Sequence, residues 1–156
     1  MRTILKLHLS IAADLPEPNT SVEIGTFKSA DADEWLALNN EIFIAHPDQG
    51  DWVMQDLTNR MKESWFDADG FFLARKNGQI IGFCWTRIHH DRVNEGPTGE
   101  IYVLGVDPTS HSSGLGKALT LTALRYFQSK AIKESMLYVG ADNHWALILY
   151  EKLGFN

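Results

Sequence analysis

Two β-rich runs, FFLARK and QIIGFCWTRIH, flank the dipeptide Asn77-Gly78. Asn-Gly is the preferred pair for a two-residue type I′ turn, whose twist matches that of two antiparallel strands. The chain must therefore contain an antiparallel pair, and its sheet cannot be a purely parallel, doubly wound one. Around this hairpin the pattern continues. Alternation over residues 3–11 predicts a strand, and Val22–Phe27 reads as a shorter one. "ADLPEPNTS" between them has the composition of a linker. Helical spacing with a leading aspartate predicts a helix over Asp31–Ile44, carrying Trp35, Leu36, Leu38, Ile42 and Phe43 inward. "AHPDQG" reads as a loop, and a second helix is expected over Asp51–Ser64 with Val53, Met54, Leu57 and Met61 inside.

The second half of the chain has the opposite character. A β-branched strand over Glu100–Val106 stops at Asp107-Pro108, a polar loop follows, and a helical pattern begins at Gly114 with Leu115, Leu119, Ala123 and Phe127 on one face. Ser135–Val139 reads as a strand and Asn143–Leu153 as a helix ended by Gly154. The predicted order is β β α α β β β α β α. This is an α+β (mixed α/β) fold with a central mixed, mostly antiparallel sheet flanked by helices.

A strand, a glycine turn and a helix N-terminus together make an anion site. Two nucleotide patterns fail at this loop. In the P-loop pattern, His111 stands where the first glycine should be and Ala118 where the magnesium-binding hydroxyl should be. In the dinucleotide fingerprint, Leu119 takes the last small position, and several strands precede the motif instead of one. A third pattern, [QR]-x-x-G-x-[GA], reads here as His111-Ser112-Ser113-Gly114-Leu115-Gly116, with both glycines in place and only the first position departing.

With "VLGVDP" before it and "ADNHWALILYEKLGF" after it, the loop resembles that of the GNAT acetyltransferases. Their closing motif has Asn143, Ala146, Tyr150, Gly154 and Phe155 at matching spacing. "HPDQGDW", "GFCWTRIH", "GEIYVLGVDP" and "LYVGADN" narrow the resemblance to the C-terminal domain of one branch, the mycothiol synthases, over about Val22 to Phe155. Enzymes of that branch acetylate the cysteinyl amine of a cysteine–glucosamine–inositol conjugate and carry two such domains in tandem.

The resemblance implies a GNAT acyl-CoA N-acyltransferase fold with acetyl-CoA as co-substrate and no metal. It implies that Leu104, Gly105 and Val106 contact the pantetheine arm, with the Val106 amide polarising the thioester carbonyl. Ser112, Ser113, Gly114, Leu115, Gly116 and Lys117 would take the pyrophosphate, and Asn143 completes the cofactor set. Lys117 reads equally as a solvated helix residue. Glu100 falls at the general-base position, acting through water, and Tyr150 at the position of the acid for the departing thiolate. A strand-edge carboxylate and a buried helix tyrosine are the alternatives for these two. Asp48, Arg87, Glu100 and Tyr138 fall where the family contacts its acceptor.

Cys84 reads as a small core residue, and His89 and His90, adjacent on a strand end, would point to opposite faces and make a poor chelate. A net charge of −6 argues against general nucleic-acid or membrane affinity. One cysteine allows no internal disulfide and fits a reducing cytoplasm. Lys6 and His8 interrupt the apolar N-terminal segment, so no signal peptide is read there. The expected organisation is a strand and linker over 1–19, left from a preceding domain, and an acetyltransferase domain over 20–156 without its last strand. That strand's absence exposes a sheet edge, which residues 3–11 are expected to fill from the same molecule or a neighbouring one. The partners implied are a small-molecule amine and either a tandem domain or a second copy of the chain. A CoA-binding module without turnover, and a GNAT enzyme for another small-molecule amine or a protein N-terminus, remain the alternatives.

Overall fold

The computed structural model describes residues 3–90 and 96–156, apart from the side chains of residues 47, 48 and 112. Among the described residues six strands form one sheet: β1 (Ile4–Ser10), β2 (Glu23–Thr26), β3 (Phe71–Lys76), β4 (Gln79–His89), β5 (Thr98–Val106) and β6 (Glu134–Gly140), in spatial order β1-β6-β5-β4-β3-β2. Of these, only β5 and β6 run parallel; every other neighbouring pair is antiparallel. That single parallel pair needs a crossover, which α4 (Leu115–Ser129) supplies. The sheet is mixed and mostly antiparallel, as the hairpin signal requires. Asn77 and Gly78 both take positive φ, 54° and 79°, the signature of the expected type I′ turn.

The two faces of the sheet bury different cores. α4 and α5 (His144–Leu153) cover one face with Leu115, Leu119, Phe127, Tyr150 and Phe155 over Phe72, Cys84, Leu104, Val106 and Leu137. On the other face, α1 (Ala32–Ile42) and α3 (Met54–Met61) close an aromatic core in which Trp35 meets Trp52, Phe71, Phe83 and Trp85 edge-on. Trp85 stacks on Phe71, with ring centres 4.4 Å apart. Cys84 lies fully buried in the first core, as its sequence context implies, and burial pushes its thiol well above the ordinary range.

Two local expectations need correction. The stretch read as the loop "AHPDQG" contains a turn of helix, α2 (Pro47–Gly50), with Pro47 at its first position. Its stability comes from outside: fully buried Asn39 donates to the Gln49 carbonyl at 2.7 Å and accepts from the Gln49 amide at 2.9 Å. The helix expected over Asp51–Ser64 is shorter, spanning Met54–Met61. Asp56 reaches back to accept from the Val53 N–H at 2.8 Å and holds Val53 extended, so Val53 points outward instead of into the core.

Strand β1 pairs along the whole of β6 within the same chain, from Ile4 opposite Gly140 to Ser10 opposite Glu134. On its far side, His8 exchanges both backbone hydrogen bonds with Asn156, at 2.8 and 3.0 Å. The edge that residues 3–11 are expected to fill is filled from within the molecule.

Candidate active site

The site begins where β5 and β6 part. Their parallel ladder runs only from Thr98 opposite Glu134 to Ile101 opposite Leu137, and the strands then diverge. Across β5, Tyr102 has no opposite number on β4, since Thr86 faces Ile101 and Trp85 faces Val103. This bulge re-aims the end of β5. The direction of its open groups follows from pairing geometry. Asp107 donates its N–H to the Ile81 carbonyl at 2.8 Å. Antiparallel pairs alternate between bonded and non-bonded, so Gly105 and Val103 bond β4 while the N–H and C=O of Leu104 and Val106 face the opening. Gly105 therefore offers no backbone bonds to the opening; its role is clearance, because a Cβ there would lie 2.7 Å from the Phe83 ring.

A cleft of about 250 Å³ occupies the gap, lined by Tyr102, Leu104, Tyr138, Asn143 and Tyr150, with His46 and Gln49 from the α2 region. A second hollow of about 180 Å³ shares His46, Leu104 and Asn143 and continues past Val106 to His111 and Trp145. Tyr150 is 5% exposed, and burial beside Cys84 raises its phenol far above the ordinary tyrosine range. The hydroxyl is held in its proton-bearing form. Tyr138 stands 55% exposed at the rim. Asn143 faces both hollows and also caps α5, accepting from the Ala146 N–H at 3.2 Å.

At the glycine loop, Gly114 takes the left-handed conformation (φ 79°) and α4 starts behind it with no side-chain cap. The first intrahelical bond runs from Ala118 to the Gly114 carbonyl, so the N–H groups of Leu115, Gly116 and Lys117 have no acceptor within the helix. These amides suit an anion. Gly116 also sets the helix packing. A Cβ there would meet the Trp145 ring at 2.8 Å, so its lack of a side chain lets α5 pack against α4. Ser113 turns its hydroxyl back to the Ser110 carbonyl at 2.6 Å, and Lys117 is exposed. The departing His111 donates from Nε2 to the Val106 carbonyl at 3.0 Å and stacks on Trp145 at 4.2 Å. It fastens the end of β5 to the loop.

Of the other expected acceptor residues, Glu100 and Arg87 lie further along the sheet. Glu100, opposite Arg87, is 7% exposed and does not line the cleft itself; it sits two residues before Tyr102. Its carboxylate meets His89 Nε2 at 2.7 Å. The Arg87 guanidinium lies over Trp65, 4.8 Å from the ring centre, and its Nε is buried without a hydrogen-bond partner among the described residues. Asp48 falls in α2, between cleft-lining His46 and Gln49. Residues that sequence reasoning passes over include His46, Gln49, Tyr102 and Arg60, whose Nε donates to the Tyr102 hydroxyl at 3.1 Å. Tyr102 carries a signal, since it lies on the strand between Glu100 and Leu104; the others carry no local one.

The family model for the acetyltransferase (GNAT) family matches residues 32–155. The chain belongs to the GNAT acetyltransferase family. The relatives of this GNAT domain include a mycothiol acetyltransferase from Acidothermus cellulolyticus, 45% identical over 167 residues, with 99% of this chain and 51% of that protein covered. The chain spans about half the length of the curated relatives it matches. Among solved structures, a GCN5-related N-acetyltransferase from Sphaerobacter thermophilus superposes with a TM-score of 0.77 at 20% identity, covering 99% of this chain and 48% of that one. An aminoglycoside N-acetyltransferase solved with CoA does so with a TM-score of 0.70 at 22% identity, covering 88% and 90%. Both establish the shared fold.

Proposed function

We propose that this GNAT domain takes acetyl-CoA in the gap between β5 and β6 and passes the acetyl group directly to a primary amine, the cysteinyl amine of a cysteine–glucosamine–inositol conjugate. The observation that carries this reading is the parting of the two strands. It leaves the N–H and C=O of Leu104 and the N–H of Val106 open between buried Tyr150 on one side and the uncapped start of α4 on the other, the Val106 carbonyl being taken by His111. An amide-bearing pantetheine arm would pair with those groups as an added strand does. The pyrophosphate would meet the amides of Leu115, Gly116 and Lys117, with the loop residues Ser112, Ser113 and Gly114 around it. His111 leaves the Val106 N–H free to polarise the thioester carbonyl, because it binds only the carbonyl of that residue.

In this reading Glu100 draws the proton from the incoming amine through water, the amine nitrogen attacks the thioester carbon, and Tyr150 protonates the departing thiolate. Burial keeps Tyr150 protonated, which suits an acid. Tyr138, Arg87 and Asp48 are assigned to the acceptor, and Asn143 lies where donor and acceptor hollows meet. The narrower acceptor rests on the relatives named for mycothiol acetylation. Their greater length supports a tandem domain as the natural partner, with residues 1–19 as strand and linker joined to it and residues 20–156 as the catalytic unit. The setting is cytoplasmic.

Thiol release from acetyl-CoA tests this over a panel of amines: the cysteinyl conjugate, free cysteine, an aminoglycoside and a peptide N-terminus. Turnover led by the conjugate is expected. Release led by another amine would reassign the acceptor, and CoA binding with no release, unchanged in Glu100→Gln, would make the chain a binding module.

A further inference from the structure

Net acetylation of an ammonium by acetyl-CoA yields an amide, a free thiol and one proton. The amine loses its proton, the N–C bond forms as the C–S bond breaks, and the thiolate is protonated. One proton per turnover must therefore reach solvent from the base. Glu100 is badly placed to release it alone, since its side chain keeps only 9% of its surface exposed. Among the described residues its polar side-chain partner is His89, at 2.7 Å from Oε1. His89 sits diagonally across the β4–β5 ladder: Arg87 is opposite Glu100 and His89 opposite Thr98. Its side chain is 20% exposed, more than twice the figure for the carboxylate. The ring bridges a buried base and the surface.

We infer that His89 is a positioning residue for Glu100: its Nε2–H donates to one carboxylate oxygen and leaves the other for the acceptor's water. After turnover the ring, in its Nδ1–H tautomer, accepts the carboxyl proton at Nε2 as Nδ1 gives one up to solvent. This deepens the proposed function and rests on Glu100 acting as base there. Among the described residues, the charged or titratable groups nearest on the neighbouring elements are engaged elsewhere, and exposed His90 follows His89 where β4 ends. Arg87 lies over Trp65, Arg60 bonds Tyr102, and Glu134 on β6 is held by His8 and Ser10; from β6, apolar Met136 stands beside Glu100. Among these groups, His89 alone connects the base to solvent.

The test combines two readouts on the full chain. In the free protein, imidazole 15N spectra of wild type and Glu100→Gln should differ at His89, with Nε2 bonded to the carboxylate only in wild type; identical His89 signals would overturn the pairing. In acetyl transfer, His89→Phe should lower kcat/KM about 10- to 100-fold, as a slightly misplaced catalytic group does. His89→Gln keeps a donor but relays no proton, so it should recover KM while leaving kcat low. Unchanged kcat and kcat/KM in a folded His89→Phe would overturn the inference. If wild type acetylates no amine in the panel, the acceptor reading and the proton relay both fall, whereas the spectra still decide the pairing itself.

Discussion

In the proposed reaction the two ends of β5 serve with different materials. From Leu104 onward the site is built of main chain: open strand amides, a left-handed glycine and the uncapped start of α4. Before Tyr102 it is built of side chains from several separate segments, with Glu100 and His89 on adjacent strands, Arg87 over Trp65, and Arg60 from α3 on Tyr102. A CoA arm offers repeating amides and phosphates that a backbone can hold, so the first end tolerates change in most side chains. An acceptor must be oriented and deprotonated, which only particular groups can do. Substitutions at the two ends should separate accordingly into effects on kcat and effects on donor binding.

The largest expected effect is at the side-chain end. Glu100→Gln should cut kcat/KM by about 10² to 10⁴, the usual share of general base catalysis, while acetyl-CoA affinity by calorimetry stays near wild type. Tyr150→Phe should lower kcat by about 10²-fold with donor affinity again preserved. The sign of its titration is fixed by burial: a phenol raised above its ordinary value of 10.0 stays protonated there, so kcat should show no loss of the acid up to pH 10. A kcat that falls between pH 8 and 9 in wild type but not in Tyr150→Phe would contradict this.

Gly116→Val tests the main-chain end. It should lower stability by about 1–3 kcal/mol through overpacking against Trp145, and weaken acetyl-CoA binding more than it alters kcat at saturation. The smallest effect lies outside both ends. Burial alone would raise the Asp31 carboxyl, but the hydrogen bond and charge of Arg75 and the Lys28 N–H outweigh it and hold it below the ordinary 3.8. A lowered carboxyl stabilises the fold above that value and loses its contribution as pH falls through the lower, folded one. Asp31→Asn should therefore narrow the stability gap with wild type as melting is followed from pH 6 down to pH 2, with activity unaffected.

The same contrast separates what is legible in the sequence from what is not. The donor end is local: a strand, Gly114, Gly116 and a capped α5 lie within about 50 residues, and each has a turn or cap chemistry visible in sequence. The hairpin at Asn77-Gly78 is legible for the same reason. The acceptor end joins residues far apart in sequence. His89 reads as half of a poor chelate until the register places it diagonal to Glu100. His111 reads only as the departing position of the loop pattern until it turns toward the Val106 carbonyl and the Trp145 ring. α2 has only Pro47 as a local signal, and buried Asn39, outside its sequence, holds it in place. The alternation of residues 3–11 predicts a strand, but which edge it joins depends on β6, more than 120 residues away.

The central claim is that a CoA thioester lies in the gap where β5 leaves β6. Backbone amide spectra during titration with acetyl-CoA test it directly. Shifts should concentrate at the N–H groups of Leu104, Val106, Leu115, Gly116 and Lys117, with the Gly105 and Val103 amides, bonded to β4, moving least. Saturable binding that shifts other amides and leaves these five unmoved would contradict the account.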